Sequence, residues 1–155
     1  METLVILARV LHSWTRWILI VIAAVALVTF ALGLIQGKPW TRRAHTLLNA
    51  YGSIFGLQWL FGLVLLIAWG SMTTFSQRHF WEHLAVQTVA MFVANMHHMW
   101  RRREMPDSKR WRNGLLVLVV SLILAVVGVT VLPVDIQWRF FLPAAITSRL
   151  LVRPA

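Results

Sequence analysis

Six histidines carry most of the chemistry this chain can offer: His12, His45, His79, His83, His97 and His98. Fourteen positions separate His83 from His97. At roughly 100° per helical residue, that spacing brings the second imidazole to within about 40° of the first, with a rise of about 21 Å. One helix would then show an imidazole near each end of nearly the same stripe. His98 lies about 60° to the other side of that stripe, so either member of the pair could be the useful one. An ionisable residue in an apolar segment is costly and rarely faces lipid. The chemistry that wants paired imidazoles is metal or metallotetrapyrrole ligation. Neutral imidazole is a good axial ligand, and a low-spin haem needs one on each face of the macrocycle.

The elements that must position these residues are apolar runs. The chain has 155 residues, of which 59% are hydrophobic and 13% charged, against about 25% charged in an ordinary soluble domain. Its mean hydropathy is +0.70. Trp17–Ile35, Leu47–Gly70 and Gly114–Val134 each lack a formal charge over 19, 24 and 21 residues. Between Leu84 and Trp100 only His97 and His98 interrupt a fourth run. The expected fold is therefore all-α: a single integral membrane four-helix bundle over 1–155, with spans at about 5–35, 46–69, 80–100 and 113–132. Pro133 and Pro143 make 133–155 an interfacial C-terminal tail. Glu2, Arg9 and Arg16 flank a first span too long for the apolar core of a cleaved signal peptide. Small-xxx-small pairs at Gly52/Gly56 and Gly33/Gly37 suit close helix packing.

Charge gives the orientation. The first loop holds Lys38, Arg42 and Arg43; the third holds Arg101, Arg102, Arg103, Lys109, Arg110 and Arg112; the second holds only Arg78. Loops one and three should face the cytoplasm, and both termini the outer, periplasmic side of a bacterial inner membrane. Eight of the nine tryptophans fall near span ends, as interfacial indoles do. The net charge of +10 belongs to these loops, where it sets topology and meets anionic headgroups of the lipid bilayer. Nucleic acid is not the expected partner.

With depths assigned, the histidines sort into two layers. The outer layer joins His12 to His83; the inner joins His45 to His97 or His98. Span three is then a shared ligand helix, with room for one or two haem b groups whose irons would be about 20 Å apart. Arg16 follows His12 by four residues, on the same face, where a guanidinium can pair with a haem propionate. Arg42, Arg43 and Arg101 could do the same for the inner layer. Glu82 points about 100° away from His83 and is a weak outer partner for it. His79 reads as solvated, and His45 as readily solvated as ligating. In "MHHM" (Met96–Met99) thioether and imidazole suit copper. Adjacent helical residues diverge by about 100°, so the four cannot all face one ion. The absence of cysteine excludes disulfides, thiolate metal sites and c-type haem attachment.

"LHSWTRW" (Leu11–Trp17), followed by "GKPWTRR", "LQWLFGLVLL" and "FWEHLAVQ", resembles small bacterial four-helix membrane proteins of the cytochrome b-like group. The resemblance implies an outer site involving His12 and His83, with Arg16 nearby. The His83–His97 spacing is also similar to that of the diheme cytochrome b of quinol–cytochrome c oxidoreductases. There two helices each carry both ligands, whereas here His12 and His45 come from separate spans.

The leading expectation is a membrane electron carrier exchanging electrons with a quinone or a redox complex. The alternative is a structural or pigment-binding accessory subunit of a respiratory or photosynthetic complex, in which a single histidine ligates the magnesium of a (bacterio)chlorophyll. Either would work with other subunits. No carboxylate pair, nucleophile–base pair or phosphate loop is visible, so an enzyme in its own right is not expected.

Overall fold

A chain this apolar must satisfy its backbone within each segment, and helix is the local way to do so. The computed structural model describes residues 2–73, 75–100, 103–134 and 136–138. It contains four α-helices and, among the described residues, no strand: α1 (Glu2–Ile35), α2 (Arg42–Thr73), α3 (Arg78–Asn95) and α4 (Asp107–Thr130). A 3₁₀ segment, Met96–Trp100, extends α3.

The helix ends follow from local chemistry. Gly37 adopts φ +58°, which favours glycine. Around it Lys38 N–H donates to the Gly33 carbonyl at 3.1 Å and Gly37 N–H to that of Leu34 at 3.3 Å, the paired bonds of a Schellman cap. Pro39 follows and stops any continuation. Thr41 then caps α2, its Oγ1 accepting from Ala44 N–H at 3.2 Å. Asp107 places a carboxylate in the first turn of α4, where the helix dipole favours it.

Each helix packs on its chain neighbours, and α1 closes on α4 to complete a ring. The core stripes recur at helical spacing: Leu19, Ala23, Ala26 and Phe30 on α1, and Ala44, Leu48, Tyr51 and Phe55 on α2. Alanines at 23, 26, 90 and 94 bring α1 and α3 close to their neighbours. At the end holding the α1–α2 loop, Phe30, Trp40 and Trp111 form an edge-to-face cluster with centroids 4.8–5.6 Å apart. The Trp111 indole N–H donates to the Lys38 carbonyl at 2.8 Å, pinning that loop to α4.

The outside is as apolar as the inside. Val21, Val25, Val28, Leu32 and Ile35 on α1, and Leu116, Val120, Ile123 and Val127 on α4, are all exposed. Such a surface is compatible with contact with a lipid bilayer and unsuited to water. Three helices, α1, α2 and α4, are long and apolar enough to cross a membrane. By contrast α3 carries His79, Glu82, His83, Gln87, Thr88 and Asn95 within 18 residues, which lowers its hydropathy.

From His83 onward the polar side chains of α3 nevertheless turn inward. Gln87 Nε2 donates to the Ala125 carbonyl at 2.9 Å, and Trp59 Nε1 donates to Thr88 Oγ1 at 2.8 Å. Asn95 Nδ2 donates to the carbonyls of Met91 at 2.9 Å and, more weakly, Gly52 at 3.4 Å. Val89, Phe92 and Met96 face outward. The C-terminal tail expected to lie at the interface falls mostly outside the described residues, as do Arg101 and Arg102.

Candidate functional site

One stripe from each helix converges on a cavity of about 330 Å³, within the size range of cofactor and ligand pockets. From α1 come Arg9, His12, Ser13 and Arg16, spaced so that all share a face. From α2 come Gln58, Trp59, Gly62 and Trp69; from α3, Phe80, His83 and Gln87. The α4 stripe supplies Leu122, Ala125 and Val129, and the segment beyond it adds Leu132, Ile136 and Trp138. The walls are apolar, and the polar groups are few and convergent.

His12 and His83 thus line the same cavity, within electrostatic reach of each other and of Arg16. Their ring nitrogens are set by the facing helices. His12 Nδ1 lies 3.0 Å from the Gln58 carbonyl oxygen, and His83 Nδ1 lies 2.6 Å from that of Gly128. A carbonyl oxygen can only accept, so each Nδ1 carries the hydrogen and each Nε2 keeps a lone pair. A backbone carbonyl holding Nδ1–H is the usual way a protein orients imidazole as a metal ligand. His83 Nε2 has no hydrogen-bond partner among the described residues. His12 Nε2 accepts from the Gln58 side-chain amide at 3.2 Å.

Glycine at position 62 makes room for the His12 ring. A Cβ there would sit 2.9 Å from His12 Cε1 and 3.2 Å from Nδ1, closer than real side chains pack. Arg9 lies over the Trp69 ring at 5.1 Å and Arg16 over that of Trp17 at 5.7 Å, so both guanidinium groups are held beside the cavity.

The inner histidines are arranged differently. His97 is buried, with Nδ1 3.0 Å from the Ala94 carbonyl and Nε2 2.9 Å from the Asn49 amide oxygen. The other end of that amide is 3.1 Å from His45 Nδ1. Hydrogens on both nitrogens would make His97 a buried imidazolium; reversing the Asn49 amide keeps it neutral. In both arrangements both ring nitrogens are engaged. Asn49 stands between His45 and His97, and the three residues tie α2 to the end of α3. His98 is exposed, its ring 4.1 Å from that of His97.

The remaining candidates lie away from the cavity. His79 rests against the Phe80 ring at 4.3 Å, and Glu82 accepts from Arg78 Nε at 2.6 Å across an exposed i,i+4 pair. Arg42 and Arg43 are exposed at the start of α2. No cluster of three or more His, Cys, Asp or Glu side chains forms a metal site among the described residues.

Sequence reasoning missed Gln58, Arg9, Trp69 and the residues after α4. For Gln58 a signal existed, since an amide in the middle of the charge-free Leu47–Gly70 run must find a partner inside the bundle. No known protein family, curated protein or solved structure matches the chain.

Proposed function

We propose that the protein is a membrane-embedded, haem-b-binding electron carrier with its haem held between His12 and His83, acting with a quinone or a redox partner. The observation that carries this reading is the matched pair of imidazoles on one cavity. Each is anchored at Nδ1 by a backbone carbonyl of a facing helix, which leaves Nε2 as the ligand atom. The donor set fits the group: two neutral imidazoles, apolar and aromatic walls, and Arg9 and Arg16 as partners for the propionates. Bound there, haem would supply the one-electron chemistry. The chain's own part is to orient the ligands, neutralise the carboxylates and keep water out. On this reading the inner histidines hold α2 against α3, and the expected content is one haem per chain.

Purification in mild detergent, a reduced-minus-oxidised spectrum and a pyridine haemochrome assay test the proposal. A b-type signal at one haem per chain is the expected result. A haem-free protein, particularly one retaining chlorophyll-type pigment, would sink it. His97→Ala is expected to keep the spectrum while lowering stability by about 1–2 kcal/mol, because Asn49 and the Ala94 carbonyl lose their partner. Thermal unfolding in detergent, followed beside haem content, reads both effects.

The inward polar face and outward apolar face of α3 support its crossing the membrane as a fourth span. With its 3₁₀ extension it is 18 plus 5 residues long, about 37 Å. The charge pattern favours termini outside. Because the chain lacks cysteine, single-cysteine variants report this directly. Ser76→Cys should react with an impermeant maleimide on intact cells, and Gln36→Cys and Ser108→Cys only after permeabilisation. Equal labelling of positions 76 and 108 would mean that α3 does not cross.

A further inference from the structure

The hydrogen bonds around His12 say more than that it is oriented. Gln58 binds both nitrogens of the ring: its backbone carbonyl accepts from Nδ1–H, and its side-chain amide donates to Nε2. The amide oxygen faces the Thr15 hydroxyl, whose one hydrogen is shared between it and the Leu11 carbonyl at 2.8 Å. Thr15 follows His12 by three residues, so α1 steadies the group that covers its own histidine. His83 has the same backbone anchor but no such cover among the described residues.

We propose that the Gln58 side chain is a displaceable cap on the ligand nitrogen of His12, in competition with the cofactor for that lone pair. The inference rests on the proposed haem site. One residue thereby does two opposed things: its carbonyl prepares Nε2 for coordination, and its amide occupies the same atom until a stronger acceptor of the lone pair arrives. His83 is the permanent anchor and His12 the exchangeable ligand. With haem bound, an amide poised at Nε2 would hold that nitrogen whenever it is free and so favour release.

The test is haem loss from the purified holoprotein to an excess of a soluble haem scavenger, followed in the Soret band. Gln58→Leu keeps the backbone carbonyl and removes the cap. It should slow haem loss by roughly fivefold, the worth of one neutral hydrogen bond. Thr15→Val, which frees the amide without touching the ring, should slow it in the same direction. Gln58→Glu places an acceptor at Nε2, favours a hydrogen on that nitrogen and should speed loss by roughly tenfold. A residue that only fills space would give faster loss in all three variants. Haem loss from Gln58→Leu and Thr15→Val at or above the wild-type rate overturns the cap while leaving the haem site standing. Wild-type protein that holds no haem overturns the site itself.

Discussion

Replacing His83 by alanine should remove the low-spin b-type spectrum, with haem affinity lowered more than roughly 100-fold. That exceeds the 10–100-fold loss typical of residues that merely orient a ligand. Among the described residues nothing covers His83 Nε2 on the cavity, and Gly128 holds its other nitrogen at 2.6 Å. Removing it takes away the anchor. His12→Ala should be milder and different in kind. His83 remains, so the expected product is a loosely held high-spin haem. His45→Ala and His97→Ala should leave the low-spin spectrum intact, since Asn49 separates those rings and neither lines the cavity. Absorption spectra of the four purified variants check all of this. Equal loss of low-spin haem in the inner variants would return the ligands to the inner layer.

Substituting valine for Gly62 should be nearly as damaging, although the residue has no donor atoms. The site depends on the His12 ring lying against α2 at a position with no side chain to meet it. Any Cβ at 62 would sit 2.9 Å from His12 Cε1. Either α1 moves away from α2 or the ring turns and leaves the Gln58 carbonyl. Overpacking of this kind costs about 1–3 kcal/mol, and loss of the orienting bond should lower haem affinity by about 10–100-fold. Gly56 provides the control on the same helix, because a Cβ there meets nothing within 4 Å. Gly56→Ala should bind haem as the wild type does. If Gly62→Val binds haem as Gly56→Ala does, the close approach of the His12 ring to position 62 does not shape the site.

How much of this was visible in the sequence depends on the range of the interaction. The helices were legible from their charge-free runs but their ends were not: α2 begins at Arg42 and α4 at Asp107, four and six residues before the expected spans, because polar first turns extend a helix past its apolar run. The lower hydropathy of α3 was passed over, because a count of formal charges does not register Gln87, Thr88 and Asn95. Only the fold shows that Gln87, Thr88 and Asn95 meet other helices while Val89 and Phe92 face out. For the site, the i,i+4 relation puts His12 and Arg16 on one face of any helix. What brings His83 to the same cavity is the closure of the ring through α4, a long-range contact that no local spacing encodes. The His83–His97 stripe assumed one continuous α-helix. In the structure the helix tightens to 3₁₀ at Met96, and His97 turns to Asn49 on α2 while His83 turns to Gly128 on α4. For Gln58 the sequence showed only that an amide in an apolar run needs a partner, and not which one. An amide has no intrinsic claim on a cofactor, and its role exists only because His12 lies against it.

Electron paramagnetic resonance of the oxidised, purified protein tests the central claim most directly, since it reads the axial ligands of the iron and the number of distinct centres. The expected result is a single low-spin ferric signal of the bis-imidazole type, lost in His12→Ala and His83→Ala and kept in His97→Ala. A high-spin signal alone, two distinct low-spin centres, or a protein without iron would contradict a haem held by His12 and His83.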